Sequence, residues 1–231
     1  MASIGREITK ITLLRNKVQQ KIVVPASKSF SQRKSNLVSE YNFEGQRQFR
    51  VLGLSGSASK NSYNTDLLKA IGKMLPSNIT FELFEGLANL PFYTPEIDND
   101  QDRPVIAQAL RDAIRNADAI IIATPEYNYS VTAVIKNAID WASRPYGAHS
   151  LVRKAILPVS ASMSILGGVR AQLHLRDILH STESNVITRP EVFVSTAHTK
   201  FNEDHELIDQ ETINILKLAV DSFVAHAELL A

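Results

Sequence analysis

Five short apolar runs, rich in β-branched residues, recur at residues 49–54, 79–84, 119–124, 155–160 and 187–194. Between and after them lie segments with helical periodicity, at residues 63–75, 103–116, 131–142, 168–180 and 212–230. Strand and helix alternating five times predict βαβ units with right-handed crossovers, hence a parallel sheet covered by helices on both faces. The run Ala119-Ile-Ile-Ile-Ala-Thr124 is apolar at successive positions instead of every second one. A strand buried on both faces reads that way. The expectation is an α/β, three-layer, doubly wound fold with a five-stranded parallel sheet. Ligands of such sheets sit beyond the carboxyl ends of the strands.

Composition narrows the function classes. The chain has 231 residues, 44% of them hydrophobic, enough for one substantial core. It contains no cysteine, which excludes disulfides, thiolate nucleophiles and zinc-thiolate sites. Its apolar runs, about eight residues at most, are too short to span a membrane. The net charge of +1 conceals an asymmetry. Residues 1–50 hold ten Lys or Arg against Glu7, Glu40 and Glu44, so the remainder carries 15 basic and 21 acidic residues. The basic character belongs to the beginning of the chain, which argues against a nucleic-acid groove in the core. Residues 1–48 are read as a basic extension outside the fold, and 49–231 as the domain. A cytoplasmic protein is expected. The Arg and Ser content of the extension suits organellar targeting, whereas Glu7 counts against it.

Three loops follow apolar runs and carry the chemistry. After the first run come Ser55, Ser57, Ser59, Ser62 and Asn64 around a turn, leading into a helical segment. Hydroxyls, backbone amides and a helix dipole can hold a phosphate monoester there with little positive charge. The plainer reading makes Ser62 a helix N-cap and the other serines turn residues. Neither a P-loop nor G-x-G-x-x-G is present. After the third run, Pro125 holds Thr124 extended and Glu126-Tyr127-Asn128 project from the sheet edge. After the fourth, Ser160-Ala161-Ser162 leads to Gly167-Gly168, whose conformational freedom suits close backbone approach at a helix start. The Pro-rich stretch from 85 to 103 is a long loop and a candidate rim of the site, its Asp98, Asp100 and Asp102 read as solvated.

Gly56-Ser57-x-x-Lys60-x-Ser62-Tyr63-Asn64 resembles the phosphate loop of the NADPH-dependent FMN reductase family, usually G-S-x-R-x-x-S-x-N. Here Ser59 stands in the position of the family's Arg, and Lys60 can compensate in part. Pro125-Glu126-Tyr127-Asn128 is similar to the family's flavin-contact segment. Ile135-Lys-Asn-Ala-Ile-Asp-Trp141 is similar to its following helix, with Thr132-Ala133 where many relatives have Pro-Gly. Gly167-Gly-Val-Arg170-Ala-Gln172 is similar to its G-G-x-R-A-Q run. The resemblance covers roughly residues 49–230 and implies a flavodoxin-like fold with strand order 2-1-3-4-5.

It also implies FMN as cofactor and NADPH or NADH as electron donor. The implied acceptors are small molecules: quinones, azo or nitro compounds, oxyanions or free flavin, served by a ping-pong mechanism. The implied cofactor contacts are Ser57, Ser59, Lys60, Ser62, Tyr63, Asn64, Pro125, Glu126, Tyr127, Asn128, Ser160, Ala161, Ser162, Gly167 and Gly168. Arg170 and Tyr93 are the candidate substrate contacts, and Arg170 suits a structural salt bridge equally well. No catalytic side chain and no metal are required, because the flavin carries the chemistry. His174 and His180 are read as surface or interface residues, and Trp141 as core. Neither a nucleic-acid nor a membrane partner is expected, but a homodimer or homotetramer is. Two other readings stay open: a flavodoxin-type electron carrier, and a binding or regulatory module whose flavin site has lapsed.

Overall fold

The computed structural model describes residues 48–230. The expected N-terminal extension therefore lies outside the described residues, apart from Gln48. In chain order the strands are β1 (Phe49–Ser55), β2 (Ile79–Leu83), β3 (Ala119–Ala123), β4 (Ala155–Ala161), β5 (Asn185–Val186) and β6 (Val192–Val194). The helices are α1 (Tyr63–Gly72), α2 (Val105–Asn116), α3 (Ala133–Ala142), α4 (Val169–Ser181) and α5 (Gln210–Leu230). All the strand pairs are parallel, in the order β2-β1-β3-β4-β5, with β6 also pairing β4. This is the flavodoxin-like arrangement.

The strand sequences explain the two cores. Successive side chains leave a strand on opposite faces. Ile121, Leu157 and Val159 accordingly pack under Leu67, Leu68 and Ile71 of α1 and Leu216 and Phe223 of α5. Ile120, Ile122 and Ile156 pack on the other face, under Leu110 and Ile114 of α2, Ile135 and Trp141 of α3, and Leu175 of α4. β3 is buried along its whole length, as its unbroken apolar run predicts. No helix among the described residues is long and apolar enough to cross a membrane.

The fifth apolar run departs from expectation. Instead of one strand over 187–194, two short strands flank Thr188-Arg189-Pro190, and both hydrogen-bond to β4. Pro190 has no N–H for the ladder, so pairing lapses and resumes two residues later.

The loop between β2 and α2 is held down along α3. Asn137 Nδ2 donates to the carbonyls of Leu90 and Pro91, and Trp141 Nε1 donates to Pro91 O at 2.8 Å. Asp98 is not solvated as expected. Its carboxylate receives two bonds from Arg111, at 2.8 and 2.7 Å, and one from Arg103 at 2.9 Å. Arg111 is itself buried and also donates to Trp141 O. Asp100 and Asp102 are exposed, as expected. Hydrogen bonds from Arg111, joined by those from Arg103, hold the Asp98 carboxyl below the usual carboxylate range against the opposing effect of burial.

Asp98→Ala leaves the Arg111 charge buried without its partner, a change that costs about 3 kcal/mol in sites of this kind. Because the folded-state pKa is depressed, the contribution is present above the unfolded value near 3.8 and disappears as pH falls through the lower folded value. Urea unfolding should separate the variant from wild type clearly at neutral pH and progressively less at strongly acidic pH. Equal midpoints at neutral pH would show that the pair contributes nothing.

Candidate functional site at the carboxyl edge of the sheet

The loop after β1 turns tightly because its own side chains satisfy parts of its backbone. Ser57 Oγ accepts from Ser59 N at 3.2 Å, and Ser59 Oγ donates to Asn61 O at 3.2 Å. Ser62 is the N-cap of α1, its Oγ accepting from Thr65 N. Among the described residues, the amides of Lys60, Asn61, Ser62 and Tyr63 meet no protein acceptor. They are the free donors expected at a helix start, and an anion is their natural complement. The Lys60 side chain is exposed beside them.

The loop after β3 makes a tight hairpin. Tyr127 and Ser130 exchange both backbone hydrogen bonds at 3.0 Å, which forces Asn128 and Tyr129 to positive φ, 49° and 68°. A bulky residue such as Tyr129 rarely adopts that conformation, and strain of this kind gathers at functional sites. Tyr127 and Tyr129 are exposed. In the loop after β4, Gly168 has φ +88°, and a Cβ there would lie 2.8 Å from that of Ser160. Ser160 is fully buried and donates to Gly167 O at 2.6 Å. Ser162 Oγ accepts from Ser164 N, and Met163 and Ile165 expose their side chains.

Hydrogen bonds tie the three loops together. Both ends of the buried Asn64 amide engage Ala161, Nδ2 donating to its carbonyl and Oδ1 accepting from its N–H, each at 2.9 Å. Thr132 Oγ1 donates to Gly56 O at 2.6 Å and also accepts from Ile135 N, capping α3. Glu126 accepts from the amide of Arg170 at 3.0 Å and from its guanidinium at 3.1 Å. His174 Nδ1 and Ser130 Oγ lie 2.9 Å apart. Glycines for close approach, free amides, exposed hydroxyls and exposed aromatic surface thus share one edge. They suit a phosphate joined to a flat, partly apolar ring.

Residues 49–199 match the family described as NADPH-dependent FMN reductase. The chain belongs to that family. It is 34% identical over 177 residues to a quinone reductase of Escherichia coli strain K12, covering 76% of this chain and 94% of that one. It is 39% identical over 186 residues to an NAD(P)H:quinone oxidoreductase of Solanum tuberosum, covering 79% of this chain and 94% of the relative. Among solved structures, the flavoenzyme NAD(P)H:(acceptor) oxidoreductase FerB of Paracoccus denitrificans superposes with a TM-score of 0.72 at 32% identity. That match covers 78% of this chain and 98% of FerB. As a member of the FMN reductase family the chain is an oxidoreductase with FMN as its cofactor and NAD(P)H as its electron donor.

Within this FMN reductase fold, several residues singled out from the sequence have side chains spent on structure. Asn64 clamps Ala161, Ser62 caps α1, Ser160 fixes the Gly167 carbonyl, and Tyr63 packs on Phe201 with ring centroids 5.5 Å apart. Arg170 forms the salt bridge with Glu126, its guanidinium 4.0 Å from the centre of the Tyr129 ring. Tyr93 stands edge-on to Trp141 at 5.1 Å with its amide bonded to Asn137, and it lines a hollow with Ala133 at the start of α3. Trp141 is core, as expected.

Sequence reasoning passed over Thr132 and Gln172. Thr132 carried the signal of an N-cap hydroxyl before a helical run. Gln172 is buried and donates to Ser160 Oγ and Val192 O. Nothing local to Gln172 marks that role.

Asn64→Ala leaves the buried N–H and C=O of Ala161 unpaired, a loss of about 2–6 kcal/mol at 1–3 kcal/mol per orphaned group. Chemical denaturation of the variant checks this. Stability within a few tenths of wild type would mean that the clamp does not hold the two loops together.

Proposed function

We propose that the protein is an NAD(P)H-dependent FMN reductase that passes electrons to small acceptors, quinones foremost, in two half-reactions at the same face. The observation that carries the reading is the set of free amides at Lys60, Asn61, Ser62 and Tyr63, at the start of α1 and on the same edge as exposed Tyr127. The chemistry that FMN would supply there is acceptance of a hydride from the nicotinamide and return of the electrons to the acceptor. The amides, the half-buried Ser57 hydroxyl and the exposed Lys60 side chain would hold the phosphate, the α1 dipole adding to their pull, while Ser59 Oγ keeps its proton on Asn61 O and shapes the loop. Ser59 brings no charge where relatives carry Arg, so Lys60 is the cation of this loop.

Tyr127, Asn128 and the backbone around Pro125 and Glu126 would face the ring system from one side. The backbone from Ala161 to Gly168 would face it from the other. Glycine at 167 and 168 keeps that backbone free of side chains, and Met163 and Ile165 offer an apolar border that excludes water. Identity above 30% to one protein named quinone reductase and one named NAD(P)H:quinone oxidoreductase supports a quinone as acceptor. The reductase domain is proposed to span residues 49–231, with residues 1–48 as an extension.

The protein loaded with FMN should show flavin absorption bands that bleach with NADPH and recover on adding a quinone. Protein that retains no FMN after addition and desalting would contradict the assignment. Bands that NADPH leaves unchanged would turn it toward an electron carrier. Tyr127→Ala should weaken FMN binding roughly tenfold by removing aromatic contact, read by fluorescence quenching. An unchanged affinity would remove Tyr127 from the site.

A further inference from the structure

Gly168 precedes α4 and has no side chain with which to cap it. Glu126, 44 residues before Arg170 in sequence, supplies the cap. Its Oε2 accepts from the amides of Arg170 at 3.0 Å and Ala171 at 3.5 Å, while Oε1 accepts from Arg170 Nη1 at 3.1 Å. The Glu126 side chain is 14% exposed and that of Arg170 39%. An amide oxygen in the place of Oε2 would accept the two backbone bonds, so capping alone does not call for a carboxylate, whereas the bond from Arg170 Nη1 uses the second oxygen. The charge has a separate consequence. It places an anion and a cation side by side at the edge where the three loops meet.

We propose that Glu126 and Arg170 exert opposing, balanced fields on the reduction potential of the bound flavin. Glu126 lowers the potential, Arg170 raises it, and the two nearly cancel. The inference rests on the FMN reading above. Hydride transfer from NAD(P)H leaves nicotinamide oxidised and adds one negative charge to the flavin, so a fixed anion nearby disfavours the reduced form and a fixed cation favours it. Glu126 and Arg170 act through the field they create and are positioning residues, not catalytic ones. The pairing also explains how a helix start can face this edge without leaving its positive end unopposed.

The two-electron midpoint potential of bound FMN would be measured by equilibration with reference dyes at fixed pH, alongside the affinity for oxidised FMN. Glu126→Gln should favour binding of the reduced over the oxidised flavin about tenfold, an upward shift of about 30 mV for a two-electron couple. Arg170→Met should shift it down by a similar amount. The double variant should return close to wild type, and Arg170→Lys, which keeps the charge, should leave the potential in place. Shifts of the same sign in both single variants, no shift in either, or an Arg170→Lys variant that follows Arg170→Met would overturn the inference while the FMN assignment stands. Wild-type protein that holds no FMN would overturn both.

Discussion

The bond pair between Asn64 and Ala161 is the constraint on which the site depends. A parallel sheet delivers its strands to one edge with their last backbone groups unpaired, and the loops beyond have no ladder to order them. Asn64, on the first turn of α1, spans to the end of β4 and satisfies an N–H and a C=O at once. Thr132 joins α3 to the loop after β1 in the same way, and Glu126 joins the loop after β3 to α4. Each link is a buried or half-buried polar contact whose loss would leave groups without partners. Together they give three loops, separated by long stretches of sequence, one fixed relation.

That scaffold accounts for a site with little formal positive charge. Arg170, read from the sequence as a substrate contact or a structural salt bridge, is committed to Glu126 and to the Tyr129 ring. Ser59 is neutral. What the edge offers an anion is mainly free backbone amides at the start of α1, whose strength comes from fixed geometry and partial burial. The same economy leaves Tyr127, Met163 and Ile165 exposed as apolar surface around it.

Much of the fold was legible because burial leaves a mark on sequence. β3 sits under helices on both faces, and three consecutive isoleucines are the direct result. The interruption between β5 and β6 is marked by Pro190, which the apolar run around it obscured. The loops were legible because Gly, Ser and Pro follow strands that must stop. Their partners were not. Asn64 and Ala161 are 97 residues apart, and no local pattern links them. Tyr93 illustrates the ambiguity of an aromatic in a Pro-rich loop, which reads the same whether it faces a ligand or packs on Trp141. Of Asp98, Asp100 and Asp102, only Asp98 meets a buried arginine, a distinction set by tertiary placement alone. The helical segment from Ile135 to Trp141 has a physical purpose, since Asn137 and Trp141, four residues apart on one face, pin the loop after β2.

Receipt of the flavin's phosphate by the free amides at the start of α1 is open to amide-resolved NMR titration of isotope-labelled protein with FMN and, in parallel, with riboflavin, which lacks that phosphate. Large shifts are expected at Lys60, Asn61, Ser62 and Tyr63 with FMN and lost with riboflavin, while residues 126–129 respond to both. Shifts centred on another part of the molecule, or equal responses of the four amides to the two ligands, would contradict it.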